Sequence, residues 1–376
     1  MSLTSILKFI KPGCGAFGAV FGRRPTVFLS GIICLAVLCS CGPQPSPAAV
    51  ISTATQQENQ TATNTAQASF TPRPTSTPDR RVTPAPSLTA TTVWTASPTP
   101  TVTPQPLVPA FAHIGIIVLE NREFGSVIGN PQMPLYNQWA AQYTLLSEHY
   151  AIQHPSLPNY LALIGGDTFG IQANCIDCFI NAPSLPDLIE ASGRRWKTYQ
   201  EDLPSPCFLG DGVTYYQKHN PFIYFDPIRL DDRRCKQGIV PLDELYTDLK
   251  NQTLPDFFFI TPNICNSAHD CTLNLTDIWL GNLVPYLLAY PEMQRSGLLI
   301  ITWDEGQGDH GCCGIEPGGG RVATLIISPL AQKGLQDATP YTHYSLLKTI
   351  SEAWGLPLLG HAADPSTNLI TAPWNK

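Results

Sequence analysis

Apolar runs in the last two-thirds of the chain are short, continuous and repeatedly end in polar side chains. Ile114–Gly115–Ile116–Ile117–Val118–Leu119 runs into Glu120–Asn121, and Leu298–Leu299–Ile300–Ile301–Thr302–Trp303 runs into Asp304–Glu305. An unbroken apolar run of this length reads as a strand covered on both faces, as in a parallel sheet. Further strands are expected at Thr144–His149, Trp196–Tyr199, Asp256–Thr261 and Val322–Ser328. Between them, helical patterns predict helices over Met133–Ala141, Pro158–Ile164, Leu185–Ser192, Leu242–Lys250, Thr276–Tyr290 and His343–Trp354. Ser184 is a plausible N-cap, Pro285 a candidate kink, and Gly355 a C-terminal cap. Strands alternating with helices predict an α/β fold with a mostly parallel central sheet and helices on both faces. Asn174–Val240, rich in Pro, Gly and Cys, is expected to supply loops on the binding side.

The front of the chain follows other rules. Basic residues at Lys8, Lys11, Arg23 and Arg24 precede an apolar stretch from Thr26 to Leu38, too short for a span of about 20 residues. It closes on Leu38–Cys39–Ser40–Cys41–Gly42, which resembles a bacterial lipobox, with Cys41 as the residue to be lipidated. Residues 1–41 are therefore expected to be a lipoprotein signal. Residues 42–109, dominated by Thr, Pro, Ser, Ala and Gln, have too little apolar surface to offset ordering entropy and read as a disordered linker. Residues 110–376 form one catalytic-sized unit. An extracytoplasmic protein held to the membrane by its lipid, or secreted, follows, and a monomer is expected.

The net charge of −7 argues against a nucleic-acid partner. It leaves phosphate substrates open, because a bound metal supplies local positive charge. Eight of the twelve cysteines fall after the linker, an even number in an exported domain. Cys175–Cys178, Cys207–Cys235 and Cys265–Cys271 are the local pairings expected. Cys312 and Cys313 pair with each other or with distant partners. Four thiolates around zinc, from Cys175, Cys178, Cys312 and Cys313, are the rival arrangement.

Paired carboxylates at two strand ends suggest hard-cation ligands. Three further pieces join them. His154–Pro155–Ser156–Leu157–Pro158–Asn159–Tyr160 places a hydroxyl at the start of a helix, where anions and alkoxides are favoured. Asn263-x-Cys265-Asn266-x-x-His269–Asp270–Cys271 follows a Phe-rich strand, and Thr342–His343–Tyr344–Ser345 opens the last helix. Alone, each reads as a helix cap, a polar disulfide loop and a structural histidine.

Together, in this order, the five motifs resemble the bacterial and fungal phosphoesterase family of acid phosphatases and phosphatidylcholine-type phospholipases C. The likeness also takes in Trp196–Lys197-x-Tyr199-x-Glu201, Lys218–His219–Asn220–Pro221 and Trp354–Gly355–Leu356–Pro357. It is nearest to the short secreted acid phosphatases, one of which acts on phosphatidylinositol 3-phosphate. The resemblance implies an alkaline-phosphatase-like fold and a divalent cation, calcium, magnesium or zinc. It implies metal or phosphate contacts from Glu120, Asn121, Asp270, Asp304 and Glu305, a nucleophile at Ser156, and His269 and His343 as further catalytic groups. His154, Asn159, Lys218 and His219 are the expected substrate contacts. One departure follows Asp304–Glu305–Gly306, where Asp309–His310 stands in place of a more distant Asp–His pair and is followed by Cys312–Cys313. The expected activity is hydrolysis of phosphate monoesters, phosphoinositides among them, through a phosphoserine. A phospholipase C acting on diesters and a non-catalytic surface lipoprotein are the alternatives.

Overall fold

The computed structural model describes residues 106–375. The signal sequence, nearly all of the linker and Cys41 lie outside the described residues.

Nine strands form one sheet: β1 His113–Leu119, β2 Thr144–Tyr150, β3 Trp196–Gln200, β4 Ile239–Pro241, β5 Phe257–Thr261, β6 Gly297–Trp303, β7 Arg321–Ile327, β8 Gln336–Asp337 and β9 Tyr341–Thr342. The helices are α1 Phe124–Val127, α2 Pro134–Gln142, α3 Ser156–Gly165, α4 Leu185–Ala191, α5 Asp226–Arg229, α6 Asp232–Gly238, α7 Asp243–Asn251, α8 Leu273–Leu288, α9 Pro291–Ser296 and α10 His343–Trp354. The strand order is β4-β3-β5-β1-β6-β7-β2-β8, with β9 on β2. Only β7 runs against the others, since its pairings with β6 and β2 are antiparallel and the rest are parallel.

The sheet separates two apolar layers. Ile116, Val118, Phe257, Phe259 and Ile300 pack with Leu161 and Ile164 of α3 and Leu347 and Ile350 of α10. Ile117, Leu119, Phe258, Ile260 and Trp303 pack with Tyr136 and Trp139 of α2, Leu245 of α7 and Leu280 and Leu287 of α8. This two-sided burial is why β1, β5 and β6 carry no polar alternation. Each fully covered Phe or Ile contributes about 1.5–3 kcal/mol. Gly115 serves this packing, because a Cβ there would sit 2.1 Å from the Phe258 ring.

The expected strands and helices all form, with ends displaced by a few residues. The last long helix before β6 starts at Leu273 rather than Thr276 and keeps Pro285 inside it. Within 174–240, α5, α6 and β4 were not foreseen. Asp231–Asp232–Arg233–Arg234 has no apolar period, and β4 is only three residues long, held by parallel pairing to β3. Disulfides join Cys175–Cys178, Cys207–Cys235, Cys265–Cys271 and Cys312–Cys313. The eight sulfurs are thereby used, and the zinc-thiolate arrangement does not form.

Candidate active site

The site lies where β1, β2, β5 and β6 end, the edge at which open α/β sheets collect their functional groups. Leu119 pairs with Trp303, so Glu120 and Asp304 leave neighbouring strands side by side. The Asp304 N–H donates to the Leu119 carbonyl at 2.8 Å. Asn121 adopts a left-handed φ of 50°, which turns its N–H onto Asp304 Oδ1 at 2.8 Å. Asparagine tolerates that conformation better than most residues.

Ser156 is the first residue of α3, delivered by β2 and the turn after it. Its Oγ lies 3.4 Å from Glu120 Oε2 and 3.3 Å from Glu305 Oε1. The structure therefore brings together Glu120, Asn121, Ser156, Asp304 and Glu305. His154 joins them at the mouth. Its Nδ1 is 2.7 Å from Glu305 Oε2, and its Nε2 is 2.9 Å from the Gly308 carbonyl. The hydrogen bond to Glu305 holds its imidazole up at about 9, so the ring is protonated at neutral pH and donates to both acceptors.

Glu120 is fully buried. Burial, and then the charge of Asp304, push its carboxyl well above the ordinary range. Tyr160 donates its hydroxyl to Glu120 Oε1. His219 Nε2 is 3.2 Å from the same oxygen but is not aligned for a hydrogen bond. The His219 ring stacks on Tyr160, centroids 5.5 Å apart. Burial, then the charges of Lys218 and His269, drive His219 far below its usual value, and the ring is neutral. Half-buried Lys218 supplies a cation whose field reaches Glu120. His269 stands 6.1 Å from His219, ring to ring.

Three expected roles change. Asn159 is not free to contact substrate. Its Oδ1 accepts from the N–H groups of Ile152 and Gln153 at 2.8 and 3.2 Å, and its amide donates to the carbonyls of Gln153 and Pro155 at 2.7 and 3.3 Å. Every hydrogen-bonding position of the amide is thereby spent on the turn that presents Ser156. His343 is not at the surface of the site either. It is wholly buried, neutral because burial lowers it to about 4, and its Nε2–H donates to the Asp304 backbone carbonyl at 2.6 Å. It steadies Asp304 rather than facing solvent. Asp270 does not join the buried carboxylates. It is exposed at the rim, with Oδ1 2.7 Å from His269 Nδ1, and leaves Nε2 as that ring's free nitrogen. Asp309 and His310 are exposed.

Other residues have roles the sequence reading did not assign. Glu201, at the end of β3, accepts from Asn263 N–H at 2.9 Å, from the Asn266 amide at 3.0 Å and from Trp279 Nε1 at 3.1 Å, fixing the loop that carries His269. The carboxylate-after-strand signal used for Glu120 applies equally to Glu201. Asn174 accepts from the Leu157 N–H at 3.0 Å and caps α3, the helix that begins at Ser156. His149 lies edge-on behind His343 at 5.1 Å. No sequence spacing signals these last two.

A divalent cation fits this donor set. Burial, with Glu305's charge second, pushes Asp304 up to about 7, and its Oδ2 is buried with no hydrogen-bond partner. Closely set buried carboxylates and one orphaned oxygen are what an ion would relieve. Among the described residues no group of three or more His, Cys, Asp or Glu converges tightly enough to cage a metal. An ion that keeps waters and borrows phosphate oxygens matches that openness.

The phosphoesterase family profile matches residues 130–357. The chain belongs to the phosphoesterase family. Among members, an acid phosphatase of Aspergillus fumigatus is 32% identical over 71% of this chain and 60% of its own length. A phosphatidylinositol-3-phosphatase of Mycobacterium tuberculosis is 32% identical over 70% of this chain and 84% of its own. The chain spans about three-fifths of the length of the fungal acid phosphatases it matches. A solved Bacteroides thetaiotaomicron structure, described under glycosaminoglycan metabolism, superposes with TM-score 0.50 at 12% identity, covering 71% of this chain and 82% of that one. That likeness concerns the fold alone. For this phosphoesterase-family chain, the site motifs lie in the loops and helix starts that follow the strands of a mostly parallel sheet.

Proposed function

We propose that this protein is an exported, metal-dependent phosphomonoesterase that works through a phosphoserine at Ser156. The observation that carries the reading is the Ser156 hydroxyl set between Glu120 and Glu305, where Glu120 and Asp304 leave neighbouring strands and one Asp304 oxygen is buried without a hydrogen-bond partner. Glu120, Asp304 and Glu305, with Asn121 and the Ser156 oxygen, would hold the cation. When bound, it would lower the pKa of the hydroxyl and neutralise phosphoryl oxygens.

The chain's own groups do the rest. Ser156 Oγ attacks phosphorus in line, and its proton passes to a neighbouring carboxylate oxygen. The P–O bond to the leaving alcohol breaks, and that oxygen takes a proton from an imidazole. His269 fits this task, since Asp270 orients its ring and leaves Nε2 unengaged. The same nitrogen then accepts a proton from the water that attacks the phosphoserine, the Oγ–P bond breaks as Ser156 takes its proton back from the carboxylate, and inorganic phosphate leaves. Lys218 and protonated His154 supply positive charge at the mouth, and neutral His219 adds a polar edge without adding charge.

The relatives' names support phosphate monoesters, with phosphoinositides as candidates. The phospholipase C of M. tuberculosis matches only 46% of this chain at 25% identity, which favours monoesters over diesters. Ser156→Ala is expected to abolish p-nitrophenyl phosphate hydrolysis while leaving the thermal unfolding midpoint within a few degrees. Near-normal turnover would assign the nucleophile elsewhere. Comparing a phosphomonoester with phosphatidylcholine separates the two chemistries. Anchoring through Cys41 is part of the proposal, and Cys41→Ala is expected to end lipid labelling and membrane retention.

A further inference from the structure

We propose that Glu123 is a positioning residue of the site, holding the 304–321 loop so that the Gly308 carbonyl aims His154 at Glu305. The inference rests on the phosphomonoesterase reading and deepens it.

Glu123 lies three residues beyond Glu120 and reaches across to the opposite loop. Its Oε2 accepts from the N–H groups of Gln307 at 3.0 Å and Gly308 at 3.1 Å, and its Oε1 accepts from Arg321 N–H at 3.1 Å. One carboxylate thus grips both ends of the loop. Two glycines make room for it. A Cβ on Gly306 would stand 2.3 Å from Glu123 Oε2, and one on Gly320, whose φ is +86°, would stand 2.8 Å away. From this grip a chain of contacts runs to the nucleophile. Gly308 presents its carbonyl to His154 Nε2 at 2.9 Å, His154 Nδ1 meets Glu305 Oε2 at 2.7 Å, and Glu305 Oε1 lies 3.3 Å from Ser156 Oγ.

The base of the loop has other support. Gly306 N–H donates to the Gly319 carbonyl at 2.7 Å, and Ala151 exchanges backbone bonds with Gly319 and Gly320. Loss of the Glu123 charge therefore leaves the loop folded but lets 307–308 shift. Glutamine is the informative replacement. It keeps the volume, but whichever way its amide turns, an N–H₂ faces a backbone N–H, donor against donor.

The experiment is a double-mutant cycle of Glu123→Gln and His154→Ala on p-nitrophenyl phosphate, joined to NMR of the His154 ring N–H signals. Glu123→Gln is expected to lower kcat by about 10- to 100-fold, the range for partners that orient metal-site groups, with little change in KM. In the His154→Ala background the same change is expected to cost almost nothing more, since both act through one contact chain. The His154 ring signals should exchange faster in Glu123→Gln. Multiplying losses, an unchanged kcat, or unchanged ring signals would each overturn the proposal. If the wild-type protein fails to hydrolyse any phosphomonoester, the phosphomonoesterase reading falls, and the ring signals alone then decide whether Glu123 positions His154.

Discussion

Asp248 and Asp304 are both buried carboxylates, treated in opposite ways. Asp248 on α7 accepts from Lys197 Nζ at 2.5 Å, Tyr199 hydroxyl at 2.7 Å and Thr253 hydroxyl at 2.8 Å. Burial pushes its carboxyl up, but these donors outweigh burial and hold it below the ordinary carboxylate range. Asp304 has one oxygen on the Asn121 N–H and the other without a partner, and burial with Glu305's charge pushes it up to about 7. A satisfied buried carboxylate stabilises the fold. An unsatisfied one beside further carboxylates destabilises it and keeps its capacity for an incoming ligand.

The largest effect should come from the member of the pair in the candidate site. Asp304→Asn is expected to remove nearly all p-nitrophenyl phosphate hydrolysis while leaving stability of the metal-free protein unchanged or raised, as read by urea unfolding. If it unfolds the protein, Asp304 belongs with Asp248 as a structural carboxylate. Next, saturating magnesium, calcium or zinc is expected to stabilise the wild type by about 2.7 kcal/mol at a hundredfold excess over Kd, a thermal shift absent in Asp304→Asn. EDTA should reverse both that shift and the activity. An unshifted midpoint with all three ions would contradict the cation site.

Asp248→Asn should behave in the opposite sense, losing about 1.5–3 kcal/mol of stability with activity preserved in the folded fraction. The smallest effect is in its pH dependence. Because the folded-state pKa of Asp248 is depressed, its contribution is complete above the unfolded value of about 3.9 and fades as pH falls through the folded value. The stability gap between wild type and Asp248→Asn should therefore be constant from pH 7 to 5 and close in more acidic solution. A gap that widens on acidification would reverse the sign assigned here.

The site residues were legible to different depths. Glu120, Asp304 and Glu305 stand out because two unbroken apolar runs far apart in the chain both end in carboxylates, at the edge where open α/β sheets build their sites. Ser156 was visible through its place ahead of a helical pattern, and the family resemblance raised it above a cap. Asn159 and His343 sat in the same motifs yet turned out to be supports. A motif records which residues occur together, whereas the direction in which each side chain points depends on the turn or helix beneath it. The grip of Glu123 on Gly308 joins positions 185 apart, and no local pattern spans that distance.

By itself, the sequence determined the alternation of strands and helices and the two-sided burial of the central strands, because hydrophobic period is a property of neighbouring residues. Tertiary structure alone decided that Leu119 pairs with Trp303, which carboxylate oxygens find donors and which stay bare, and which histidines are buried neutral and which reach the mouth. Those outcomes depend on strand order and on desolvation by distant segments, which act only after the chain has closed on itself.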